Sequence, residues 1–311
     1  MFRNFEEMAE AVKKNPTKCT LAVAAAADGA VIDAVLLAQN EGIIEPILVG
    51  NVEKIKSLLS ERGKDPASYK IVDCEPGSEG QTAVDLVNEG KAGALMKGLM
   101  ETKAFLGPIV KKENNLRTGS LITHLDFKAI PNYHKLVMFS DGGMVMYPSL
   151  EDKVAIIKNA VSVFHAIGYE DPKIGVLCAI EKVNPKMPET LDGQALQEMN
   201  ERGEIPGCKV VGPISYDCAI SKEIAQEKGF NCPYSGDFDC LIFPNIHAGN
   251  IVGKCLTVTA KAKMAGIVVG AKVPAIMTSR GSDASEKFNS IVLAALVSQG
   301  LAKDSAKGAE A

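Results

Sequence analysis

Three stretches of the sequence put polar side chains and glycine where an apolar run gives way to a helical pattern. They are Phe139-Ser140-Asp141-Gly142-Gly143, Phe243-Pro244-Asn245-Ile246-His247-Ala248-Gly249-Asn250 and Met277-Thr278-Ser279-Arg280-Gly281-Ser282-Asp283. The third combines a hydroxyl, a guanidinium and a glycine just ahead of a helix start. Backbone N–H groups, the helix dipole and arginine all favour negative charge there, so the segment suits a phosphate group or a developing oxyanion. The same residues also fit a capping loop, with Ser282 or Asp283 as the cap and the arginine in solvent. Lys97-Gly98 closes another apolar run, at the strand edge where open α/β sheets bind ligands. An ordinary turn with a solvated lysine is the plainer alternative. Arg117, in Leu116-Arg117-Thr118-Gly119-Ser120, could grip a carboxylate or phosphate bidentately; a surface-loop arginine is the competing reading.

Other chemistries lack their residues. Gly93-Ala94-Leu95-Met96-Lys97-Gly98 has the glycine spacing of a nucleotide loop, but Leu99 stands where the lysine is needed, and no GxGxxG occurs. No GxSxG elbow is present. No two of the four histidines have metal-ligand spacing. His165 lies in an apolar helical pattern and reads as structural, whereas His247 is a supporting residue of a candidate site loop. The acidic residues form no divalent-metal cluster in sequence, and the eight cysteines contain no CxxC, so no metal is expected. Scattered thiols in apolar runs point to reduced cysteines and a cytoplasmic location.

Partner classes narrow in the same way. Lys and Arg number 34 against 38 Asp and Glu, a net charge of −4, and tryptophan is absent. A nucleic-acid partner would need basic excess and stacking platforms. The apolar region from Leu256 to Met277 is interrupted by Lys261, Lys263 and Lys272, so no membrane span of ~18 uncharged residues exists. Lys13, Lys14 and Lys18 ahead of Cys19–Ala27 imitate a signal peptide. Glu6, Glu7 and Glu10 instead mark an amphipathic helix with Phe2, Phe5, Met8, Ala9 and Val12 on one face, followed by a buried first strand.

The elements that position these residues alternate. Strands are expected at 20–25, 43–49, 69–72, 93–96, 136–140, 173–179, 209–211, 240–244, 266–269 and 275–278. Helices are expected at 28–41, 52–62, 79–89, 150–167, 190–202, 221–228, 249–264 and 283–299, with Asp28 and Ser149 as N-caps. Apolar strands alternating with helices define an α/β fold with a largely parallel sheet. The length of 311 residues favours about two domains at ~150 residues each. The stretch 111–135 is polar and weakly periodic, and the alternation resumes after Asp141. Residues 1–140 with about 285–311 are therefore expected to form a first, discontinuous α/β lobe, and 141–284 a second, with a frayed tail over 304–311.

Taken together, Met96-Lys97-Gly98-Leu99, Leu116-Arg117-Thr118-Gly119, Asn184-Pro185-Lys186-Met187-Pro188, Gly212-Pro213-Ile214-Ser215 with Tyr216–Ser221, Pro244-Asn245 with Gly249-Asn250, and Thr278-Ser279-Arg280 resemble the phosphate acetyl/butyryl transferases, most closely the butyryl branch. The resemblance runs over nearly the whole chain in order. It implies two α/β domains similar to the isocitrate/isopropylmalate dehydrogenases, an active site in the interdomain cleft, and usually a homodimer. It implies reversible transfer of a short acyl group, butyryl or similar, between coenzyme A and inorganic phosphate, with no permanently bound cofactor. Acetyl transfer, or a catalytically impaired relative that still binds CoA and phosphate, is the alternative; Phe105-Leu106-Gly107-Pro108 lacks an arginine many relatives carry there. A metal-dependent dehydrogenase on the same fold would need clustered acids. The catalytic residues implied are Ser279, Arg280 and an acidic base, Glu286 or Asp283. The substrate contacts implied are Arg117, Lys97, Thr118, Asp141, Asn245 and Asn250.

Overall fold

The computed structural model describes residues 1–278 and 281–310, the last seven of these by their backbone alone. The chain forms two compact units. The terminal unit comprises Phe5–Ser120 and Ala265–Ala311; the middle unit comprises Met1–Asn4 and Leu121–Met264.

The terminal unit opens with α1 (Phe5–Lys13), which buries Phe5, Met8, Ala9 and Val12 as the apolar spacing requires. β1 (Cys19–Ala24), α2 (Gly29–Asn40), β2 (Ile44–Val49), α3 (Val52–Ser60), β3 (Lys70–Val72), α4 (Glu79–Asn88), β4 (Ala94–Lys97) and α5 (Thr102–Val110) follow. β1 pairs in parallel with β2 and β4, and β2 with β3. The late strand β11 (Ala275–Ile276) adds in parallel to β4, giving the order β3-β2-β1-β4-β11. The chain thus builds outward from β1 to β3, then returns through α4 to the other side of β1. Right-handed crossovers in opposite directions send α2 and α4 to opposite faces. The order reverses between β1 and β4, and the carboxyl ends of two such strands frame the crevice that open α/β sheets use for ligands. α11 (Ala284–Glu310) packs on α1, α2 and β1, and α4 on β1 and α5. Asp28 caps α2, accepting the Val31 N–H at 3.0 Å, as its position predicts.

The middle unit holds β5 (Thr123–Ala129), β6 (Val137–Ser140), α6 (Leu150–Ala166), β7 (Lys173–Leu177), α7 (Pro188–Glu201), β8 (Lys209–Ile214), α8 (Tyr216–Ile220), α9 (Lys222–Glu227), β9 (Cys240–Ile242) and α10 (Ile246–Val258). Its strand order is β5-β6-β9-β7-β8, with β5 antiparallel to β6 and the others parallel. The sheet is therefore mixed. Its core includes Phe139 and Phe243, edge-on at 5.0 Å, with Phe238, Leu241, Ile214 and Leu177. Ser149 and Asp152 form a capping box at the start of α6. β10 (Lys263–Val269) leads back to the terminal unit, where Val268 pairs antiparallel with Ala275 of β11.

Several expectations need correction. The expected lobe boundaries at 140 and 285 differ from the unit boundaries at Ser120/Leu121 and Met264/Ala265. Strand pairing explains this: β6 belongs with β9, and β11 with β4. The polar stretch 111–135 contains strand β5, and α5 and α8 form where no helix was expected. α10 stops at Val258 rather than 264, followed by Lys261 in a left-handed conformation (φ 56°). Over 304–310, where a frayed tail was expected, the backbone is helical and continues α11 to Glu310. No helix among the described residues is long and apolar enough to cross a membrane.

Candidate active site

A cavity of about 160 Å³ opens in the terminal unit at the β1/β4 reversal. Asp28, Val31, Lys97, Gly98, Thr278 and Lys287 line it. Lys97 ends β4 and is only 7% exposed. The carbonyls of Gly98 and Met100 accept from its Nζ at 3.3 and 3.2 Å, offsetting part of the cost of burying an ammonium. The floor of the cavity requires glycine. The Gly98 N–H donates to the Ala24 carbonyl at 2.7 Å and the Leu99 N–H to the Ala25 carbonyl at 2.9 Å. A Cβ at Gly98 would stand 2.1 Å from the Ala25 oxygen. Ala25 itself is left-handed at φ 54°, an uncommon conformation for a non-glycine residue.

Two further segments of the same unit carry expected site residues. Leu116 is fully buried and anchors the loop that presents Arg117, which is exposed. Arg117 forms an antiparallel bridge with Ala271, and the Thr118 hydroxyl donates to the Gly270 carbonyl at 2.8 Å. Thr118 thus fastens its own loop to residues 270–272. At the start of α11, the Asp283 carboxylate accepts the Glu286 N–H at 2.7 Å, so Asp283 serves as the helix cap. The half-buried Glu286 carboxylate accepts a hydrogen bond from the Ser282 hydroxyl. Ser279 and Arg280 lie outside the described residues; Thr278, which precedes them, lines the cavity.

In the middle unit, Asp141, Asn245 and Asn250 come together at the carboxyl ends of β6 and β9. Asp141 is 2% exposed. One of its oxygens accepts the His124 N–H at 2.8 Å, and the other the Gly143 and Met144 N–H groups, each at 2.7 Å. Both oxygens are engaged by backbone, so the side chain supports the 142–144 loop. The Asn245 side chain caps α10 by accepting the Ala248 N–H at 3.1 Å, and the Asn250 amide donates to the Gly142 carbonyl at 3.0 Å. Gly249 permits this approach, because a Cβ there would lie 2.8 Å from the Asp141 carbonyl oxygen. His247 is exposed and its Nε2 lies 2.9 Å from the Tyr147 hydroxyl. His165 is structural, its Nε2 lying 3.1 and 3.0 Å from the Glu170 and Gly207 carbonyls.

Folding also builds groupings that the sequence did not reveal. Glu181, Asp217 and Cys218 bring potential ligand atoms within 4.8 Å of one another, correcting the expectation of no acidic cluster. The cation among them is an ammonium: Lys228 Nζ lies 3.1 Å from Glu181 and 2.8 Å from Asp217. Its hydrogen bond, with that of Ser215, holds the Asp217 carboxyl down at about 2. Lys287 in the cavity was missed as well. The available signal was a cation in the first turn of a helix, where the dipole disfavours it. Burial pushes the thiols of Cys19 and Cys208 up to about 11 and that of Cys178 up to about 12, so they stay protonated near neutrality.

The family model described as phosphate acetyl/butaryl transferase matches residues 77–295. The chain belongs to the phosphate acetyl/butyryl transferase family. It is 42% identical over 299 residues to the phosphate butyryltransferase of Clostridium acetobutylicum, covering 96% of this chain and 99% of that protein. It is 41% identical over 276 residues to the phosphate acetyltransferase of Thermotoga maritima, covering 89% and 94% respectively. Among solved structures, it is similar to a branched-chain phosphotransacylase from Enterococcus faecalis V583, with a TM-score of 0.80 at 29% identity over 90% of this chain and 99% of that one. A 4-hydroxythreonine-4-phosphate dehydrogenase from Klebsiella pneumoniae shares the fold more distantly, with a TM-score of 0.52 at 14% identity over 91% of this chain and 100% of that one. Family membership makes this α/β protein a phosphate acyltransferase of the butyryl/acetyl class.

Proposed function

We propose that this chain transfers a short acyl group, butyryl or similar, reversibly between coenzyme A and inorganic phosphate. The observation that carries the reading is the cationic cavity at the β1/β4 reversal, with Lys97 buried at a strand end and Thr278 leading into the Ser279-Arg280 segment. The near full-length likeness to a phosphate butyryltransferase supports butyryl as the acyl group. Acetyl transfer is the second reading, favoured by the comparable likeness to a phosphate acetyltransferase.

In the direction that consumes acyl phosphate, Glu286 takes the proton from the CoA thiol. The sulfur then bonds to the acyl carbon. The tetrahedral intermediate collapses as the bond between the acyl carbon and the phosphate oxygen breaks, and phosphate leaves with that electron pair. Glu286 is preferred to Asp283 as base because the Asp283 carboxylate is occupied as the cap of α11. Ser279 donates to the developing oxyanion, an interaction of the kind worth ~3 kcal/mol. Arg280 and Arg117 grip the phosphoryl group, and holding both substrates in one orientation contributes ~7 kcal/mol or more. Thr118, Asp141, Asn245 and Asn250 act through the loops they fasten.

Free-thiol release from acetyl-, propionyl-, butyryl- and isobutyryl-CoA, with and without phosphate, tests the reading. Phosphate-dependent release with the highest kcat/KM for butyryl-CoA is expected. A clear preference for acetyl-CoA would select the second reading, and no phosphate-dependent release with any of them would reject both.

A further inference from the structure

Lys287 is placed against the usual rules for a structural lysine. It lies in the first turn of α11, where the helix dipole opposes a positive charge. It is 5% exposed, and a buried ammonium is costly unless paired. Among the described residues no carboxylate forms an ion pair with it. The Ser282 carbonyl accepts from its Nζ, although an ammonium offers three donors.

The side chain instead lines the cavity that Lys97 also lines. Asp28 is the carboxylate of that lining, and it already accepts the Val31 N–H at 3.0 Å. Lys97 and Lys287 thus bring two ammoniums to one lining. At about 160 Å³ the cavity is well below the ~300–1,000 Å³ typical of drug-sized ligands. It holds roughly five waters at ~30 Å³ each, room for a tetrahedral oxyanion. Its position at the β1/β4 reversal is where this architecture receives ligands.

We infer that Lys287 and Lys97 together form a subsite for a single phosphate group, with Lys287 as a substrate-contacting residue. The inference rests on the proposed acyl transfer for the source of that group, which is either inorganic phosphate (equivalently the phosphoryl end of acyl phosphate) or a phosphate of CoA. Lysine suits the role as a point charge with rotatable donors, complementing the flat grip of arginine. Removing one charged hydrogen bond to the ligand is expected to weaken its binding roughly ten- to hundredfold.

The test combines kinetics with direct binding on the full chain. Lys287→Met removes the charge and keeps the stem; Lys287→Arg keeps the charge and guards against a folding defect, with circular dichroism checking both. In the acyl-CoA-consuming direction, Lys287→Met should raise KM for phosphate by roughly ten- to hundredfold while KM for acyl-CoA moves less than about twofold, and Lys287→Arg should recover part of the loss. A rise confined to KM for acyl-CoA would assign the same subsite to a CoA phosphate. Unchanged KM values for both substrates in folded Lys287→Met would overturn the inference. Calorimetric titration with inorganic phosphate separates this outcome from failure of the reaction itself. Phosphate binding that depends on Lys287 in an enzyme without turnover keeps the subsite and loses the reaction. Turnover with phosphate and acyl-CoA affinities indifferent to Lys287 does the reverse.

Discussion

A carboxylate that caps a helix is tied to its own backbone, and one that meets a serine hydroxyl is engaged differently. Asp283 and Glu286 differ in this way, although the sequence offers both as bases. Asp283 accepts the Glu286 N–H, so its loss should act on stability. We expect Asp283→Asn to leave kcat within about threefold and Asp283→Ala to cost about 1 kcal/mol of unfolding free energy. Glu286→Gln should lower kcat by about 10²–10⁴ with an unchanged melting temperature, because it removes the group that takes the thiol proton. Thiol-release kinetics beside thermal melts read both. Equal, small kinetic effects would reject Glu286 as the base. At this scale the sequence offered Lys97 and Arg117 within motifs at strand ends and loops, and Glu286 only through the family resemblance. It was illegible where meaning comes from tertiary neighbours. Glu286-Lys287 looks like an exposed charged pair, yet Lys287 is buried. Asp141 sits at a strand end like a ligand contact, yet three backbone N–H groups occupy it. Glu181 and Asp217 meet at Lys228 only because β7 and β8 run side by side.

Strand ends are the working parts of this fold, and their close backbone crossings fix which residues can stand there. At the β1/β4 exit, Gly98 is pressed against the Ala24 and Ala25 carbonyls, whereas a Cβ added at Gly107 within α5 would meet nothing within 4 Å. Gly98→Ala should therefore destabilise the protein by about 1–3 kcal/mol through overpacking. Gly107→Ala should stabilise it by about 0.5–1 kcal/mol through the usual helical preference. Urea unfolding compares the two, and equal effects would contradict the tight crossing at Gly98. Most elements were visible from periodicity and caps: Asp28 and Ser149 both cap as expected. β5 was missed because the expected strands were continuous apolar runs, whereas Leu125 and Phe127 alternate here with His124, Asp126 and Lys128, the period-two pattern of a half-buried strand. Lys128 is 1% exposed, paired with Asp126 at 2.7 Å and set over the Phe139 ring. α5 was hidden in turn by Gly107 and Pro108, two residues that ordinarily argue against a helix interior.

For the molecule as a whole, the alternation of apolar strands with helices gave the α/β class, while the compact units change over at Ser120/Leu121 and Met264/Ala265, away from the expected 140 and 285. The chain enters the middle unit about twenty residues before the expected point, because a segment joins the unit whose strands it pairs with. The net charge of −4 says little about an anionic ligand, because local placement of cations rather than the total sets the field at a site. Membership of the phosphate acetyl/butyryl transferase family, with likeness extending over 96% of the chain, makes the protein a phosphate acyltransferase. The central claim is that phosphate itself is the acyl acceptor from CoA. Phosphorus NMR of a reaction containing butyryl-CoA and inorganic phosphate, read beside a thiol titration, tests it most directly. One butyryl phosphate should form for each free thiol, and no thiol should appear without phosphate. Thiol released without acyl phosphate, or released at the same rate in the absence of phosphate, would contradict it.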